Sequence, residues 1–255
     1  MVAGAGTADE YRTAPQADPS PRSPLTLPHM PARRTSVVLF DAFGTLVAME
    51  PPAPVLARRL RDEGYPLHED RVQSALQEEI AHYRARMHVG ADPAGLSMLR
   101  AECGAVLARA LGPGAPDAGT STRLLVESLR FRLHDDALPA LDALSAAGVR
   151  LGVVSNWDCA LPDHLRALGV ADRFEVIAAS AAVGAAKPDP MIFRHALRAM
   201  GADAAGALHV GDRPAEDLEG ARAAGLAALL VDRHGAHAGP DVVRSLADVP
   251  ARVLA

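Results

Sequence analysis

The residues best equipped for chemistry in this chain are three carboxylates, a hydroxyl and an ammonium: Asp41, Asp212, Asp217, Ser155 and Lys187. Three carboxylates gathered at one place would repel by on the order of several kcal/mol in a partly buried site. A hard divalent cation relieves that repulsion. Mg²⁺ takes one or two carboxylates together with waters and a substrate phosphate. Asp41 is then left to attack, while Lys187 and the Ser155 hydroxyl hold the anion being transferred. Lys187 is the one lysine among 26 Lys and Arg residues, and Asn156, beside Ser155, is the one asparagine. A chain that writes nearly every cation as arginine keeps its lysine where a compact point charge is needed and a planar fork would not serve.

The elements around these residues would bring them together. Val37-Val38-Leu39-Phe40 is an apolar run that reads as a buried strand ending at Asp41 and turning at Gly44-Thr45. Arg150–Val154 runs into Ser155-Asn156, and Ala207–Val210 into Gly211-Asp212. Phe174–Ala179 reads as a further strand and Leu226–Val231 as the last. Helical spacing fills Leu138–Ala147, Leu161–Leu168, Pro190–Met200 and Ala215–Ala224. Alternating strands and helices predict a parallel sheet with covered faces, whose ligands bind outside the carboxyl ends of the strands. Between the first two such strands, Val55–Asp62, Glu69–Met87, Pro93–Leu111 and Ser121–Leu133 are helical, with no strand expected among them. The expected architecture is α/β, a Rossmann-like parallel sheet core over residues 35–48 and 134–255 with an inserted α-helical cap over 49–133. Residues 1–34 hold six of the 20 prolines without apolar periodicity and read as a disordered tail, with Met30 an alternative start.

Asp41-Ala-Phe-Gly-Thr-Leu, Val154-Ser155-Asn156, Lys187-Pro188-Asp189-Pro190 and Gly211-Asp212 through Asp217 resemble the four ordered motifs of the haloacid dehalogenase-like (HAD) hydrolase superfamily. The helical insertion resembles the cap of subfamily I, and the wording of the motifs is closest to subfamily IA. The resemblance spans Ser36 to about Asp232. It implies Asp41 as the nucleophile and an aspartyl-phosphate intermediate. It also implies Mg²⁺ held by Asp41, the backbone carbonyl of Phe43, Asp212 and, directly or through water, Asp217. Thr45, Ser155, Asn156 (through its backbone N–H) and Lys187 would bind the substrate, a small phosphorylated metabolite.

One position departs from the phosphatase pattern. Phosphatases of the superfamily carry a second Asp two residues after the nucleophile as general acid, and here that residue is Phe43. The superfamily's haloacid dehalogenases also lack it, but they use no metal and lack the Gly-Asp-x₄-Asp pair that this chain has. The two motifs point in opposite directions. The acid pair weighs more, because two carboxylates beside Asp41 are hard to keep without a cation. A metal-free dehalogenase-type C–X hydrolase and a HAD fold used only for binding stand as alternatives.

Other residues carry weaker expectations. His82 and His88 on one cap helix are candidates to replace the missing acid, though such histidines are more often solvated. His234 and His237 have no third ligand for zinc. Cys159 reads as a small buried residue rather than a reactive thiol, Trp157 as pocket wall or core, and Arg58, Arg59 and Arg61 as solvated helix surface. A net charge of -5 argues against nucleic acid or an anionic membrane as partner. Cys103 and Cys159 form no disulfide framework or CxxC pair, and a cytoplasmic monomer or homodimer is expected.

Overall fold

The computed structural model describes residues 35–255; the expectations for residues 1–34 lie outside the described residues. Six strands form one parallel sheet: β1 (Val37–Phe40), β4 (Arg150–Ser155), β5 (Val176–Ala179), β6 (Ala207–Gly211), β7 (Ala227–Val231) and β8 (Val242–Val243), in the order β5-β4-β1-β6-β7-β8. Strand β1 is central, with Phe40 opposite Val153 on one side and Val210 on the other. Its side chains divide by the two-residue period of a strand. Val38 and Phe40 enter a core with Leu141, Leu144, Leu161 and Val210; Val37 and Leu39 enter one with Ile192, Phe193 and Leu197. Helices α5 (Ala137–Ala146), α6 (Leu161–Ala167) and α10 (Val249–Leu254) contribute to the first core, and α8 (Pro190–Ala199) and α9 (Gly220–Ala223) to the second. The short helix α7 (Ser180–Val183) follows β5. This is the expected Rossmann-like α/β fold.

Helices α1 (Pro52–Asp62), α2 (Glu69–Arg86), α3 (Pro93–Leu111) and α4 (Ala118–Ser128) lie between β2 (Val47–Met49) and β3 (Phe131–Leu133). They pack on a core of their own, built around Leu56, Leu60, Leu76, Leu99, Leu107 and Leu124. Asp92 and Asp117 cap α3 and α4 by accepting from Gly95 N and Thr120 N at 2.8 and 3.0 Å.

The structure corrects the expected elements in two places. The fourth helix ends at Ser128, and Phe131–Leu133 forms a strand paired antiparallel with Val47–Met49, Val47 opposite Leu133. Phe131 and Leu133 are half-buried and Arg132 exposed, an alternation too short to separate from a helical tail in the sequence. Leu226–Val231 is also not the last strand. The Gly-rich segment after it returns as β8, where Val242 pairs with Leu230.

The turn after β1 is anchored from a distance. Arg233 donates to Thr45 O at 3.0 Å and to both Asp136 carboxylate oxygens, while Ser245 Oγ and Leu246 N also donate to Asp136. Burial works against ionisation of Asp136, but these donors hold its pKa down to about 2. A depressed carboxyl stabilises above its unfolded pKa and loses that contribution as pH falls through the folded value. Asp136→Asn should therefore lose about 1–2 kcal/mol at pH 7 after allowance for solvent screening, and about half as much at pH 3. Urea titrations of both proteins at the two pH values measure this; a loss independent of pH would refute the electrostatic account.

Candidate active site

Asp41 follows β1, Ser155 ends β4 and Asp212 follows β6. Because β4 and β6 flank β1, the three side chains arrive at one edge of the sheet. Asp41 Oδ1 accepts from Ser155 Oγ at 2.9 Å and from Lys187 Nζ at 2.5 Å. Its Oδ2 has no hydrogen-bond partner among the described residues. Lys187 comes from the loop between α7 and α8, and its Nζ also donates to Asp217 Oδ1 at 2.5 Å. Its side chain is 1% exposed, so a single ammonium is sealed between two carboxylates.

Asp217 lies in a widened, π-helical turn, Pro214–Glu219, that leads into α9. Its Oδ2 accepts from Arg213 N at 2.9 Å, and its Oδ1 lies 2.8 Å from His209 Nε2. A Cβ on Gly211 would overlap this carboxylate, which explains the glycine in the Gly-Asp motif. Gly44, with φ of +94°, passes equally close to the Asp212 carboxylate, and the turn needs both the missing Cβ and the left-handed backbone.

The charges are strongly coupled. Burial alone would lower the Lys187 pKa, but Asp41 and Asp217 together raise it, so it stays an ammonium. Burial would also raise Asp217, yet Lys187 and His209 hold it well below the carboxylate range. Asp41 is raised, chiefly by burial, with Lys187 opposing. Asp212 is pushed up to about 7, first by burial and then by Asp41 and Asp217. Its Oδ1 is buried with no partner among the described residues. Oxygens from Asp41, Asp212 and Asp217 come within 4.8 Å of one another. An orphaned carboxylate oxygen in this setting fits a cation with oxygen preference. Asp41 and Asp212 offer it unclaimed oxygens, whereas both oxygens of Asp217 are already held by protein donors.

Ser155, Lys187, Asp41, Asp212 and Asp217 are thus together, as the sequence suggests. Asn156 has a different use for its side chain. Its Oδ1 accepts from Lys187 N at 2.7 Å, and its Nδ2 donates to Lys187 O and to Glu216 Oε2, both at 3.0 Å. The lone asparagine thereby fastens the loop of the lone lysine. Thr45 is fully buried, its Oγ1 has no partner, and it does not line the cavity above Asp41.

Neither His82 nor His88 lines that cavity. His82 Nε2 lies 3.2 Å from Glu102, and His88 is exposed. His234 N and His237 N donate to Asp232, so their loop is folded around that carboxylate. Cys103 is buried, Cys159 is half-buried and both are free. Arg59 pairs with Glu127 at 2.8 Å, and Arg58 and Arg61 are exposed.

The sequence reading missed His209, fully buried on β6 with its ring edge-on to Phe193 at 4.9 Å. The one clue was a histidine inside a strand otherwise made of Ala, Leu, Val and Gly.

The cavity above Asp41 measures about 400 Å³ and is shared by the sheet edge and the helical insertion. Phe43, Trp157 and Phe131 form one wall, with ring centroids 6.1 and 5.3 Å apart in that order. Trp157 is therefore both core and pocket wall. Ile80, Leu99 and Leu125 supply further apolar surface, and Glu79, Tyr83, Arg84 and Arg100 polar groups from the insertion. Tyr83 Oη donates to Asp158 at 2.8 Å and Cys159 N to Gly90 O at 2.8 Å, joining the insertion to the β4 loop.

Residues 35–225 match the family model of haloacid dehalogenase-like hydrolases. The chain belongs to that family. Its HAD-like sequence is 31% identical over 206 residues to the mouse haloacid dehalogenase-like hydrolase domain-containing protein 3, covering 76% of this chain and 81% of that protein. It is 33% identical to a phosphoserine phosphatase of Thermus thermophilus over 66% of this chain and 68% of the relative. Among solved structures, the HAD-hydrolase YfnB from Bacillus subtilis bound to magnesium superposes with a TM-score of 0.68, covering 87% of this chain and 100% of that one. At 20% identity, this last likeness speaks to the HAD fold alone.

Proposed function

We propose that this HAD hydrolase cleaves a small phosphorylated molecule through an aspartyl-phosphate formed on Asp41. The observation that carries the reading is the sealed Asp41–Lys187–Asp217 cluster beside the unpartnered Asp212 oxygen, opening on a cavity of about 400 Å³. The phosphatase relative supports it. Asp41 attacks phosphorus, the bond to the leaving-group oxygen breaks, and water then hydrolyses the acyl phosphate. Lys187 and Ser155, both already on Asp41 Oδ1, hold the transferring group against the nucleophile. The Asn156 backbone N–H is a further donor in this reading, and its side chain holds Lys187 in place. Asp41, Asp212 and the Phe43 carbonyl would hold Mg²⁺, with Asp217 acting through water; when bound, the ion neutralises charge on the phosphoryl oxygens. Residues 49–133 act as the cap over a core of residues 35–48 and 134–255. Among the described residues no helix is long and apolar enough to cross a membrane, and a cytoplasmic setting completes the proposal.

Phe43 donates no proton, and neither Tyr83 nor His164 in the cavity is suited to replace it. Burial and Asp158 push the Tyr83 pKa far up, and burial pushes His164 down, leaving it neutral at pH 7. Aryl and acyl phosphates should therefore be cleaved well and alkyl phosphates poorly. Phe43→Asp should raise alkyl phosphate hydrolysis by about 10²-fold or more and change aryl phosphate hydrolysis little. The reading itself is tested with a phosphate ester panel and 2-chloropropionate, each with Mg²⁺ and with EDTA. Phosphate release that requires Mg²⁺ supports it, and halide release in EDTA overturns it.

A further inference from the structure

Six arginines among the described residues are half-buried: Arg59, Arg71, Arg100, Arg150, Arg173 and Arg233. Five have partners. Arg59 binds Glu127, Arg71 binds Pro113 O, Arg150 binds Glu175, Arg173 binds Asp142, and Arg233 binds Asp136. Arg100 alone has no hydrogen-bond or ion-pair partner among the described residues. It lies on α3 one residue after the buried Leu99, and it lines the same cavity as Asp41.

Neither the acids beside it nor Glu79, buried in the same cavity, is ion-paired with Arg100 among the described residues. Arg100 also borders a surface groove containing Asp92 and Asp163, but Asp92 is occupied capping α3 and Asp163 pairs with Arg166. Asp158 accepts from Tyr83 and Ala160 N. A guanidinium taken partly out of water without a counter-charge is unfavourable, so its place in a substrate cavity calls for an anion.

We propose that Arg100 is a specificity residue that binds a carboxylate on the leaving group, so that the substrate is a phosphomonoester of a compact carboxylic acid. This rests on the phosphate-ester reading above and names its substrate class. A planar carboxylate matches the two parallel N–H donors of a guanidinium. A second phosphate, doubly charged, calls for more than one buried cation, and Arg84, the other unpaired arginine from the insertion that lines the cavity, is exposed. Phe43, Trp157, Phe131 and Leu99 line the same cavity and offer apolar surface for the spacer.

The test compares phenyl phosphate with 3-carboxyphenyl phosphate on the wild type, Arg100→Gln and Arg100→Lys. The wild type should favour the carboxylated ester by about 10- to 100-fold in kcat/KM. Arg100→Gln should lose that preference, mainly through KM, while its rate on phenyl phosphate stays within about twofold. Arg100→Lys should recover part of it. No preference in the wild type, or an equal loss on both esters in Arg100→Gln, overturns the proposal. Thermal protection by 3-carboxyphenyl phosphate reads the same selection without turnover. Protection lost in Arg100→Gln, with no phosphate released from either ester by the wild type, would overturn the reaction and keep the carboxylate site. Equal protection of wild type and Arg100→Gln would overturn the site.

Discussion

Asp41→Asn should reduce phosphate release by about 10⁴-fold or more and leave the fold intact. A carboxamide is no nucleophile toward phosphorus, but its oxygen can still accept from Ser155 and Lys187. The wild-type cluster sets three carboxylates against one ammonium. Removing the Asp41 charge leaves Lys187 paired with Asp217 at 2.5 Å and takes away the carboxylate that, after burial, does most to raise Asp212. The Asp212 carboxyl should fall from about 7 toward its ordinary range, and the melting temperature in EDTA should be unchanged or higher. Retention of more than a few per cent of wild-type turnover would place the nucleophile elsewhere; an unfolded variant would show that Asp41 also has a structural role.

Lys187→Met should have the opposite profile, with both activity and stability lost. The ammonium is shared by two carboxylates whose side chains are 6% and 1% exposed, so removing it leaves both buried without their counter-charge. Breaking a buried ion pair by deleting one partner costs about 3–5 kcal/mol. Mg²⁺ should recover part of this, because a cation that binds only the folded state stabilises it in proportion to its occupancy. Turnover should fall by about 10²–10³-fold with the loss of a donor to the transferring group. Lys187→Arg is not a mild substitute, since Asp41 Oδ1 and Asp217 Oδ1 converge on one nitrogen in a closed space that suits no planar fork. Urea titrations with Mg²⁺ and with EDTA measure the effect. Wild-type stability of Lys187→Met in EDTA would refute the picture of an ammonium that holds the acids together.

What could be read in advance follows from what each residue depends on. Asp41, Ser155 and Asp212 were legible because parallel strands deliver their carboxyl ends to one edge, whatever the details of packing. Lys187 and Asn156 stood out because the chain uses each type once. The actual bond between them, side chain of one to backbone of the other, belongs to the fit of two loops 31 residues apart in the chain and leaves no local pattern. His209 and Arg100 were missed for the same reason. A buried histidine acquires its meaning from Asp217 lying 2.8 Å away, and a half-buried arginine from having no hydrogen-bond or ion-pair partner among the described residues. The strands Phe131–Leu133 and Val242–Val243 are too short to show a two-residue period and form because a partner strand is already there.

The two-stranded ribbon of Val47–Met49 and Phe131–Leu133 has an evolutionary consequence. The chain leaves and rejoins the sheet domain at adjacent points, with Val47 facing Leu133, so everything between Met49 and Phe131 is a closed excursion from a fixed socket. The entropy of closing such an excursion grows only with the logarithm of its length, about 0.6 kcal/mol for each doubling. Helices can be lengthened, added or exchanged there at little thermodynamic expense to the strands that carry Asp41, Ser155 and Asp212. On the proposed reading, the reacting groups and the residues that choose what reaches them can then diversify independently.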